Sequence, residues 1–494
     1  MEPILLIDFG STYTKLTAVD VEGRRLLGTA QSYTTVETDI NEGFDKAFAA
    51  LLRHTGGLRF KKRFACSSAA GGLRMVTCGL VPELTVEAAR IASLGAGAKV
   101  VKVFSYQLTD GDVEEISRLA PDIFLLTGGT DGGNSATILH NARMLASCPV
   151  RFPVLIAGNR VCAKECETLL SGWETYRCDN VLPRLGQLCV EPVQEKIREV
   201  FLDRIILAKG LSKAAELLSG ILMPTPSAMF SSMKLLAGGT ENIAGFGDLV
   251  AVDLGGATTD VYSMADGFPH NDRTVLKGLQ EPYAKRTVEG DIGMRYNARG
   301  ILDAVGAGYL SRFSGIATDR IVELVGLVSS RTDLLPDSEE ALAFDKALAC
   351  AAVDVAVSRH SGTIEEVYTP MGQAFVQVGK DLRDVSRLVV TGGAIIHNLQ
   401  AAEIARHAFS EESGGMEPSA AHSTGLSPRY GDVLAGGASP VPQGGTIRLS
   451  LKPRRAEVYI DRNYILAAMG LLSTEYPDAA LSIMKKELEH HGTC

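Results

Sequence analysis

The sequence predicts an α/β protein, because apolar strands that end in glycine-rich turns alternate with long helical stretches. Four segments share one pattern, an apolar strand followed by a turn of glycines with Asp, Ser or Thr: "ILLIDFGSTYTKLTAV", "DIFLLTGGTDGGNSATIL", "DLVAVDLGGATTDVYSM" and "RLVVTGGAIIHN". At 494 residues, the chain is long enough for about three domains of ~150 residues or for two large lobes.

The four turns are of two kinds. A second alternation of polar and apolar residues follows the turns after Asp8 and Asp253, and this pattern predicts β-hairpins. The other two turns lead into sequences typical of helices, over 134–146 and 396–409.

Further helices are predicted between and after these turns. Residues 192–208 open with Pro and then repeat apolar residues every three to four positions. An Ala-rich helix is predicted over 338–362. The segment 461–494 predicts one or two amphipathic helices broken near Pro477, and 411–447, which is dense in Gly, Pro and Ser, predicts a long surface loop.

The composition is that of an ordinary globular protein, with 46% hydrophobic and 22% charged residues. The net charge of −9, from 49 basic and 58 acidic residues, argues against nucleic acid or an anionic membrane as the main partner. No apolar run reaches ~18 residues, so no membrane span is expected. Glu2 replaces a basic residue near the start and Asp8 interrupts the first apolar stretch, so a cytoplasmic protein without a secretory signal is expected.

The nine cysteines are scattered along the chain. Cys162 and Cys166 would share one helix face, but zinc and iron–sulfur sites usually need more ligands at closer spacing. Reduced, mostly buried thiols are therefore favoured over a cysteine metal site.

The turns after Asp8 and Asp253 have the chemistry of a phosphate site. In each, a strand ends in Asp, Gly follows two residues later, and Ser or Thr residues follow the Gly. Glycines let backbone N–H groups approach phosphate oxygens, and a carboxylate can hold the water ligands of Mg²⁺. Lys15 has two interpretations, a cation that balances phosphate charge or a solvated lysine at a strand edge.

Each turn by itself is more typical of a tight β-turn with a capping Asp. Neither contains the G-x-x-x-x-G-K-[ST] phosphate loop or the G-x-G-x-x-G dinucleotide turn. The combination with "VVTGGAIIHN", where Gly392 and Gly393 could pack flat beside an adenine, favours a nucleotide site.

In this order the three turns resemble those of the ATPase superfamily that includes sugar kinases, heat-shock chaperones and actin. In that superfamily two ribonuclease-H-like lobes close on Mg-ATP, and the loops are called phosphate 1, phosphate 2 and adenosine. The residues that match these loops are Asp8, Gly10, Ser11 and Thr12 for phosphate 1, Asp253, Gly255, Gly256, Thr258, Thr259 and Asp260 for phosphate 2, and Gly392, Gly393 and Ala394 for adenosine.

The resemblance implies an α/β fold of two ribonuclease-H-like (actin-like ATPase) lobes around a nucleotide cleft, with ATP and Mg²⁺ as cofactors. The first lobe would span 1–245, the second 246–460, and C-terminal helices 461–494. If water accepts the phosphoryl group, Asp8 and Asp253 are expected on the hydrated Mg²⁺, and Asp253 or Asp260 is expected to orient the water.

A closer resemblance, along nearly the whole chain, is to the GlmL or MutL family. These are accessory proteins of adenosylcobalamin-dependent glutamate mutase, unrelated to the mismatch-repair protein of the same name. The segments that resemble the family are the opening strand and turn, "ACSSAAGGLRMVTCGLVPELTVEAAR", "FLLTGGTDGGN" and "KRTVEGDIGMR". The resemblance implies a chaperone-like reactivase that uses ATP to release damaged cobalamin from the mutase, and an oligomer is possible.

Several alternatives stay open at this point. The chain could be a small-molecule kinase of the same superfamily, or a nucleotide-binding scaffold with negligible turnover. The turn Gly128–Gly133 is either an additional anion contact or a strand–helix junction of the first lobe. The segment 285–295 is expected near the cleft or the lobe interface, or else as a solvated charged loop.

Overall fold

The structure, a computed structural model, divides into two units. Each unit contains a five-stranded sheet, and the strand orders of these two sheets correspond. The first unit comprises Met1–Gly245 and Ile465–Lys486, and the second comprises Phe246–Tyr464 and the residues from Glu487 on. The structure describes residues 2–10, 13–34, 40–68, 73–208, 221–270, 272–370, 372–410 and 448–491.

The first unit contains two sheets and the helices that connect their strands. Its strands are β1 (Pro3–Phe9), β2 (Tyr13–Asp20), β3 (Arg25–Tyr33), β4 (Lys62–Ser67), β5 (Arg74–Gly79), β6 (Lys99–Ser105), β7 (Ile123–Leu126), β8 (Val154–Ile156), β9 (Thr175–Arg177) and β10 (Ile221–Pro224). Its helices before the second unit are α1 (Ile40–Thr55), α2 (Glu87–Gly95), α3 (Asp110–Leu119), α4 (Ala136–Ala146), α5 (Ala163–Leu169), α6 (Glu191–Ala208) and α7 (Thr225–Gly238).

The first sheet has the order β10-β4-β1-β2-β3. Strands β1, β2 and β3 are antiparallel neighbours, whereas β4 is parallel to β1 and β10 is parallel to β4. Ile4 and Ile7 are fully buried, as expected for a central strand that is covered on both faces and therefore apolar throughout. Three antiparallel strands with two parallel strands beside the first form a ribonuclease-H-like sheet, so the fold predicted for the first lobe is confirmed.

A second sheet of the first unit lies, in sequence, between β4 and β10. All its strands are parallel, in the order β6-β5-β7-β8-β9, which is the 2-1-3-4-5 order of flavodoxin-like doubly wound folds. Residues of α3, α4 and α5 form one core with its strands, and Ile116, Ile138 and Cys166 belong to that core. The sequence patterns did not predict this sheet.

The turn Gly128–Gly133 lies at the junction of β7 and α4, as one of its two interpretations predicted. Two buried asparagines from the ends of β8 and β9 hold it. The side-chain amide of Asn159 accepts from Gly132 N at 3.0 Å, and that of Asn180 donates to Gly129 O at 3.0 Å. The turn therefore belongs to the flavodoxin-like sheet.

The second unit repeats the first sheet. Its strands are β11 (Leu249–Leu254), β12 (Thr259–Met264), β13 (Thr274–Lys277), β14 (Ala284–Glu289), β15 (Thr363–Thr369), β16 (Gly372–Val378), β17 (Arg387–Thr391), β18 (Arg448–Ser450) and β19 (Glu457–Ile460). Its helices are α8 (Ala298–Val305), α9 (Ala307–Ser314), α10 (Thr318–Ser330), α11 (Glu339–His360), α12 (Gly393–Ile396) and α13 (Ala401–Arg406).

The five-stranded sheet of this unit has the order β14-β12-β11-β17-β19, again with three antiparallel strands followed by two parallel ones. The fold class predicted for the second lobe is thus confirmed. A four-stranded sheet, β13-β16-β15-β18, belongs to the same unit. The Ala-rich helix α11 is buried along much of its length, in the core beneath the five-stranded sheet.

The predicted helices agree with the helices of the structure to different degrees. Helix α6, the helix α4 after the second turn and the Ala-rich helix α11 confirm their predictions. The helix predicted over 396–409 is wrong as a continuous element, since α12 and α13 are separate. Asn398 Oδ1 accepts from Gln400 N at 2.8 Å between them, a local bond that competes with helix continuation. The predicted loop 411–447 lies outside the described residues.

The C-terminal segment forms two helices, α14 (Leu466–Leu472) and α15 (Pro477–His491), and Pro477 begins the second. Helix α14 packs against α7 within the first unit. Within the described ranges, no helix combines the length and the apolar character that crossing a membrane requires. Cys66, Cys162, Cys166 and the other cysteines that the structure describes are free thiols, and most are buried.

Candidate functional site

The first candidate site is the hairpin turn between β1 and β2. Asp8 is the second-last residue of β1, and Gly10 N donates to Tyr13 O at 3.1 Å to close the turn. A Cβ atom at Gly10 would lie 2.6 Å from Tyr13 O, so the turn requires glycine here. Ser11 and Thr12, which complete the predicted phosphate 1 loop, lie outside the described residues.

The Asp8 carboxylate is buried and receives hydrogen bonds from two other strand ends. Thr225, at the start of α7, donates its hydroxyl to Asp8 Oδ1 at 2.6 Å, and Cys66 Sγ on β4 lies 3.5 Å from the same oxygen. Burial, followed by the nearby Asp8 charge, raises the pKa of the Cys66 thiol well above its usual value. The thiol therefore stays protonated and donates to the carboxylate.

Lys15 faces Asp8 directly across the hairpin, in antiparallel register. Opposed residues on adjacent strands place their side chains on one face, about 5 Å apart at Cβ. Lys15 is half-buried, and its positive charge acts to lower the pKa of Cys66 against the larger effect of burial. The first turn thus has a cation and a carboxylate side by side.

The second candidate site is the equivalent turn between β11 and β12. Gly255 N donates to Thr258 O at 3.0 Å, the same bond that closes the first turn, and a Cβ atom at Gly255 would lie 2.8 Å from Thr258 O. Asp253 holds the position of Asp8, two residues before the glycine. Thr259 is buried and donates its hydroxyl to Ile292 O at 3.0 Å, so this hydroxyl supports the turn from inside.

The two carboxylates of the second turn have different partners. Tyr464 donates its hydroxyl to Asp253 Oδ1 at 3.3 Å. Asp260, which faces Asp253 in register, accepts from Arg286 Nε at 2.8 Å, and both members of this ion pair are largely buried. Asp260 is therefore bound in an ion pair, and Asp253 accepts a hydrogen bond from a phenol.

The segment 285–295 supports the second turn from behind. Met294 N donates to Gly255 O at 3.1 Å and Arg295 N donates to Gly256 O at 2.8 Å. Lys285, at its start, is 5% exposed. The interpretation of this segment as a solvated charged loop is therefore wrong.

The predicted adenosine turn follows β17, which runs parallel to β11. Gly392 has φ of +102°, and a Cβ atom there would lie 2.2 Å from Leu254 O, so the turn packs tightly on the end of β11. Gly393 and Ala394 then begin α12. A Cβ atom at Gly393 would meet no atom within 4 Å, so the turn is open on that side.

Four residues of these sites were missed by sequence reasoning, namely Cys66, Thr225, Asp461 and Tyr464. Asp461 follows β19, is 3% exposed and accepts from Thr391 Oγ1 at 3.3 Å. The sequence does contain a signal for it, because "VYIDRN" repeats the pattern of an apolar strand that ends in Asp. The two hydroxyl donors have no such local pattern.

The donor set fits a nucleotide with Mg²⁺ better than a metal held by protein alone. Within the described ranges, no three or more His, Cys, Asp or Glu side chains are grouped to hold a metal ion. Mg²⁺ in phosphate-transfer sites is typically bound through one or two carboxylates plus substrate phosphates. Asp8 and Asp253 place one carboxylate at each glycine turn.

Two ribonuclease-H-like sheets, each with an Asp-x-Gly hairpin after its first strand, define a protein of the actin-like ATPase fold. Within that class the chain belongs to the family described as MutL protein, whose family model matches residues 4–488. "Protein MutL" of Clostridium tetanomorphum is 45% identical over 495 residues, which cover 99% of each chain. The family resemblance predicted from the sequence is confirmed.

Solved structures with some similarity have low sequence identity. A propionate kinase from Francisella tularensis subsp. tularensis SCHU S4 is 11% identical at a TM-score of 0.30, with coverage of 96% of this chain and 100% of that chain. A diol dehydratase-reactivating factor in nucleotide-free form is 10% identical at a TM-score of 0.31, with the same coverage. Because both TM-scores are below 0.5, no functional conclusion follows from these two likenesses.

Proposed function

We propose that this protein is an ATP-dependent accessory protein that reactivates an adenosylcobalamin-dependent glutamate mutase by coupling ATP hydrolysis to the release of damaged cobalamin. Membership of the MutL family supports the choice of partner. The single observation that supports nucleotide use is the repeated turn, in which Gly10 and Gly255 make the same hydrogen bond two residues after Asp8 and Asp253.

The glycine turns would bind the phosphates of ATP. Backbone N–H groups near Gly10, Gly255 and Gly256 would approach phosphate oxygens, because glycine leaves them uncovered. Three hydroxyl residues, Ser11, Thr12 and Thr258, would add donors, whereas the Thr259 hydroxyl is already donated to Ile292 O. The adenosine turn, Gly392-Gly393-Ala394, would lie beside the adenine, with its open side at Gly393.

The carboxylates and Lys15 would bind the hydrated Mg²⁺, balance the phosphate charge and orient the attacking water. When bound, Mg²⁺ neutralises charge that develops on the β- and γ-phosphates. Asp8 and Asp253 would hold its water ligands, and Lys15 would balance charge on the transferred phosphoryl group. Of the two candidates for orienting the attacking water we favour Asp253, since the carboxylate of Asp260 is bound to the buried Arg286.

Coupling to the mutase would follow from the change in contacts when the γ-phosphate leaves. A ligand shifts a conformational equilibrium only by its differential affinity for the two states. ATP, with its γ-phosphate, would contact a glycine turn more extensively than ADP would. We propose that this difference shifts the protein between conformations and that the mutase responds to that shift.

A reactivation assay tests this proposal. The full-length protein is incubated with Mg-ATP, inactivated glutamate mutase holoenzyme and free adenosylcobalamin, and mutase activity and phosphate release are followed together. We expect activity to return with ATP and not with ADP, and to be lost in Asp253→Asn. Asp303→Asn is the matched control, because Asp303 is an exposed aspartate in the same unit that pairs with Arg299 on its own helix.

The other outcomes identify the alternatives. Phosphate release without recovery of mutase activity would contradict the reactivase role. Transfer of phosphate to a sugar or a carboxylic acid, without mutase recovery, would support a kinase. Recovery that depends on ATP binding but persists in Asp253→Asn would support a scaffold without required turnover.

A further inference from the structure

Both candidate turns receive a hydroxyl hydrogen bond on the strand-terminal aspartate. In the first unit the donor is Thr225, which follows directly after β10, the fifth strand of the sheet in chain order apart from the flavodoxin-like insertion. In the second unit the donor is Tyr464, just after β19, the corresponding outer strand. Different residue types thus make the same contact in two copies of one fold.

We propose that Thr225 and Tyr464 are positioning residues, each of which orients the aspartate of its own unit, Asp8 or Asp253, toward the water ligands of Mg²⁺. The inference rests on the proposed function, since it assigns these hydroxyls to the binding of Mg-ATP. A donor that holds a metal-linked carboxylate fixes its rotamer and leaves its other oxygen for the metal or its waters.

The Thr225 contact has the geometry of a strong bond. Its 2.6 Å length is in the range of O–H···O⁻ bonds to an ionised acceptor. Thr225 lies between Pro224 and Pro226, and Pro restricts the backbone at its own position and the preceding one, so the hydroxyl is held by a stiff segment. Asp8 Oδ2, in contrast to Oδ1, receives no hydrogen bond from any residue in the described part of the chain.

The hydrogen bond from Tyr464 to Asp253 is longer, and an unusual backbone turn positions the Tyr464 side chain. Tyr464 has φ of +52°, uncommon for a residue other than Gly, Asn or Asp. Its N–H donates to Asp461 O at 3.1 Å, and Asp461 is itself held by Thr391 through its side chain. The turn therefore begins at a buried, hydrogen-bonded carboxylate and ends with the phenol on Asp253.

The Mg²⁺ dependence of ATP binding tests the inference. ATP binding to full-length protein is measured by calorimetry over a range of Mg²⁺ concentrations, and again with EDTA. We expect Thr225→Val to raise the Mg²⁺ concentration for half-maximal binding by about 10- to 100-fold, the usual cost of losing such a partner, and Tyr464→Phe to raise it by about tenfold. Binding without Mg²⁺ should stay near wild type.

Two further variants separate positioning from structure. Thr225→Ser keeps the hydroxyl and should restore the wild-type Mg²⁺ dependence. Tyr309→Phe is the matched control for Tyr464, because Tyr309 donates to a different aspartate of the same unit, Asp354, at 3.4 Å. It should leave the Mg²⁺ dependence unchanged.

Failure of the positioning role and failure of the proposed function would give different results. If wild-type protein binds Mg-ATP but Thr225→Val and Tyr464→Phe show its Mg²⁺ dependence, the positioning role is wrong and the proposed function stands. Equal losses of ATP affinity with and without Mg²⁺ would also overturn the positioning role, since they indicate general damage. If wild-type protein does not bind Mg-ATP, the proposed function fails and this inference fails with it.

Discussion

The two glycine turns are closed by the same backbone hydrogen bond but differ in the charge of the side chains around them. Across the first hairpin Asp8 faces Lys15, whereas across the second Asp253 faces Asp260. The neighbouring parallel strand continues the contrast, with Cys66 beside Asp8 and Thr391 beside Asp253. Repetition of a fold therefore does not imply repetition of a role.

The second turn is the more acidic of the two. Asp253, Asp260 and the nearby strand-end residue Asp461 contribute three carboxylates, and Asp260 pairs with Arg286. The first turn sets one carboxylate against one lysine. We therefore expect the second turn to contribute more to Mg²⁺ binding and the first to contribute more to binding the negative phosphates.

The largest expected effect is the loss of Asp253. Asp253→Asn should lower Mg-dependent phosphate release by about 100- to 1,000-fold, as for the loss of a group that stabilises charge in the transition state. Asp8→Asn should cost less, because Lys15 keeps the first turn attractive to phosphate. Initial rates at saturating Mg-ATP measure both, and Asp303→Asn should match wild type. Equal losses in the two turn variants would contradict the division of roles.

A smaller effect is expected at the glycine that packs on the second turn. Ser67 occupies, in the first sheet, the position that Gly392 has in the second. Gly392→Ser should nevertheless lower the free energy of unfolding by about 2 kcal/mol or more, because its φ of +102° disfavours a side chain and its Cβ would meet Leu254 O at 2.2 Å. Urea unfolding measures the change.

Gly393→Ser is the matched control for that variant. A Cβ atom there meets no atom within 4 Å and no positive φ is required, so we expect little change in unfolding. If both variants are equally stable, the tight packing of the adenosine turn against β11 is wrong.

Whether a contact could be predicted from the sequence depends on how far apart its two residues lie along the chain. The hairpins were predictable, because Gly10 and Gly255 each close a turn of only four residues. The hydroxyl on Asp8 comes from a residue 217 positions away, and the one on Asp253 from a residue 211 positions away. Contacts of that separation follow from strand order, which no local pattern contains.

The flavodoxin-like sheet was missed for a different reason. Strands β8 and β9 have three residues each, Val154–Ile156 and Thr175–Arg177. Runs that short cannot be distinguished by periodicity from parts of a helix or loop. The longer apolar run before Gly128 predicts a strand, but it does not predict the strand's partners or the sheet that they form.

The next effect in size is expected at Lys15. Lys15→Met should weaken ATP binding by about tenfold, the cost of one charge-assisted contact, and should make binding less sensitive to salt. Lys15→Arg keeps the charge and should retain most of the affinity. Calorimetric titration at low and high salt measures both. A Lys15→Met protein with wild-type affinity and salt dependence would favour the solvated-edge interpretation.

The smallest expected effect comes from making the first turn resemble the second at Cys66. In Cys66→Thr the titratable thiol is replaced by the residue type that Thr391 has beside Asp253. Burial raises the pKa of Cys66 well above its usual value, so the folded protein keeps a proton that the unfolded chain releases above about pH 8.5. This contribution to stability is therefore fully present below that pH and is lost as the pH rises further, by at most about 1.4 kcal/mol per pH unit.

Urea unfolding of wild type and Cys66→Thr at pH 7 and pH 10 measures this contribution. The other buried cysteines lose stability equally in both proteins, so the difference between the two pH-dependent losses isolates Cys66. We expect the wild type to lose more stability than Cys66→Thr on going to pH 10, because only the wild type has the thiol beside Asp8. Identical losses would mean that the thiol ionises in the folded protein as readily as in the unfolded chain, and its assignment as a protonated donor to Asp8 would be wrong.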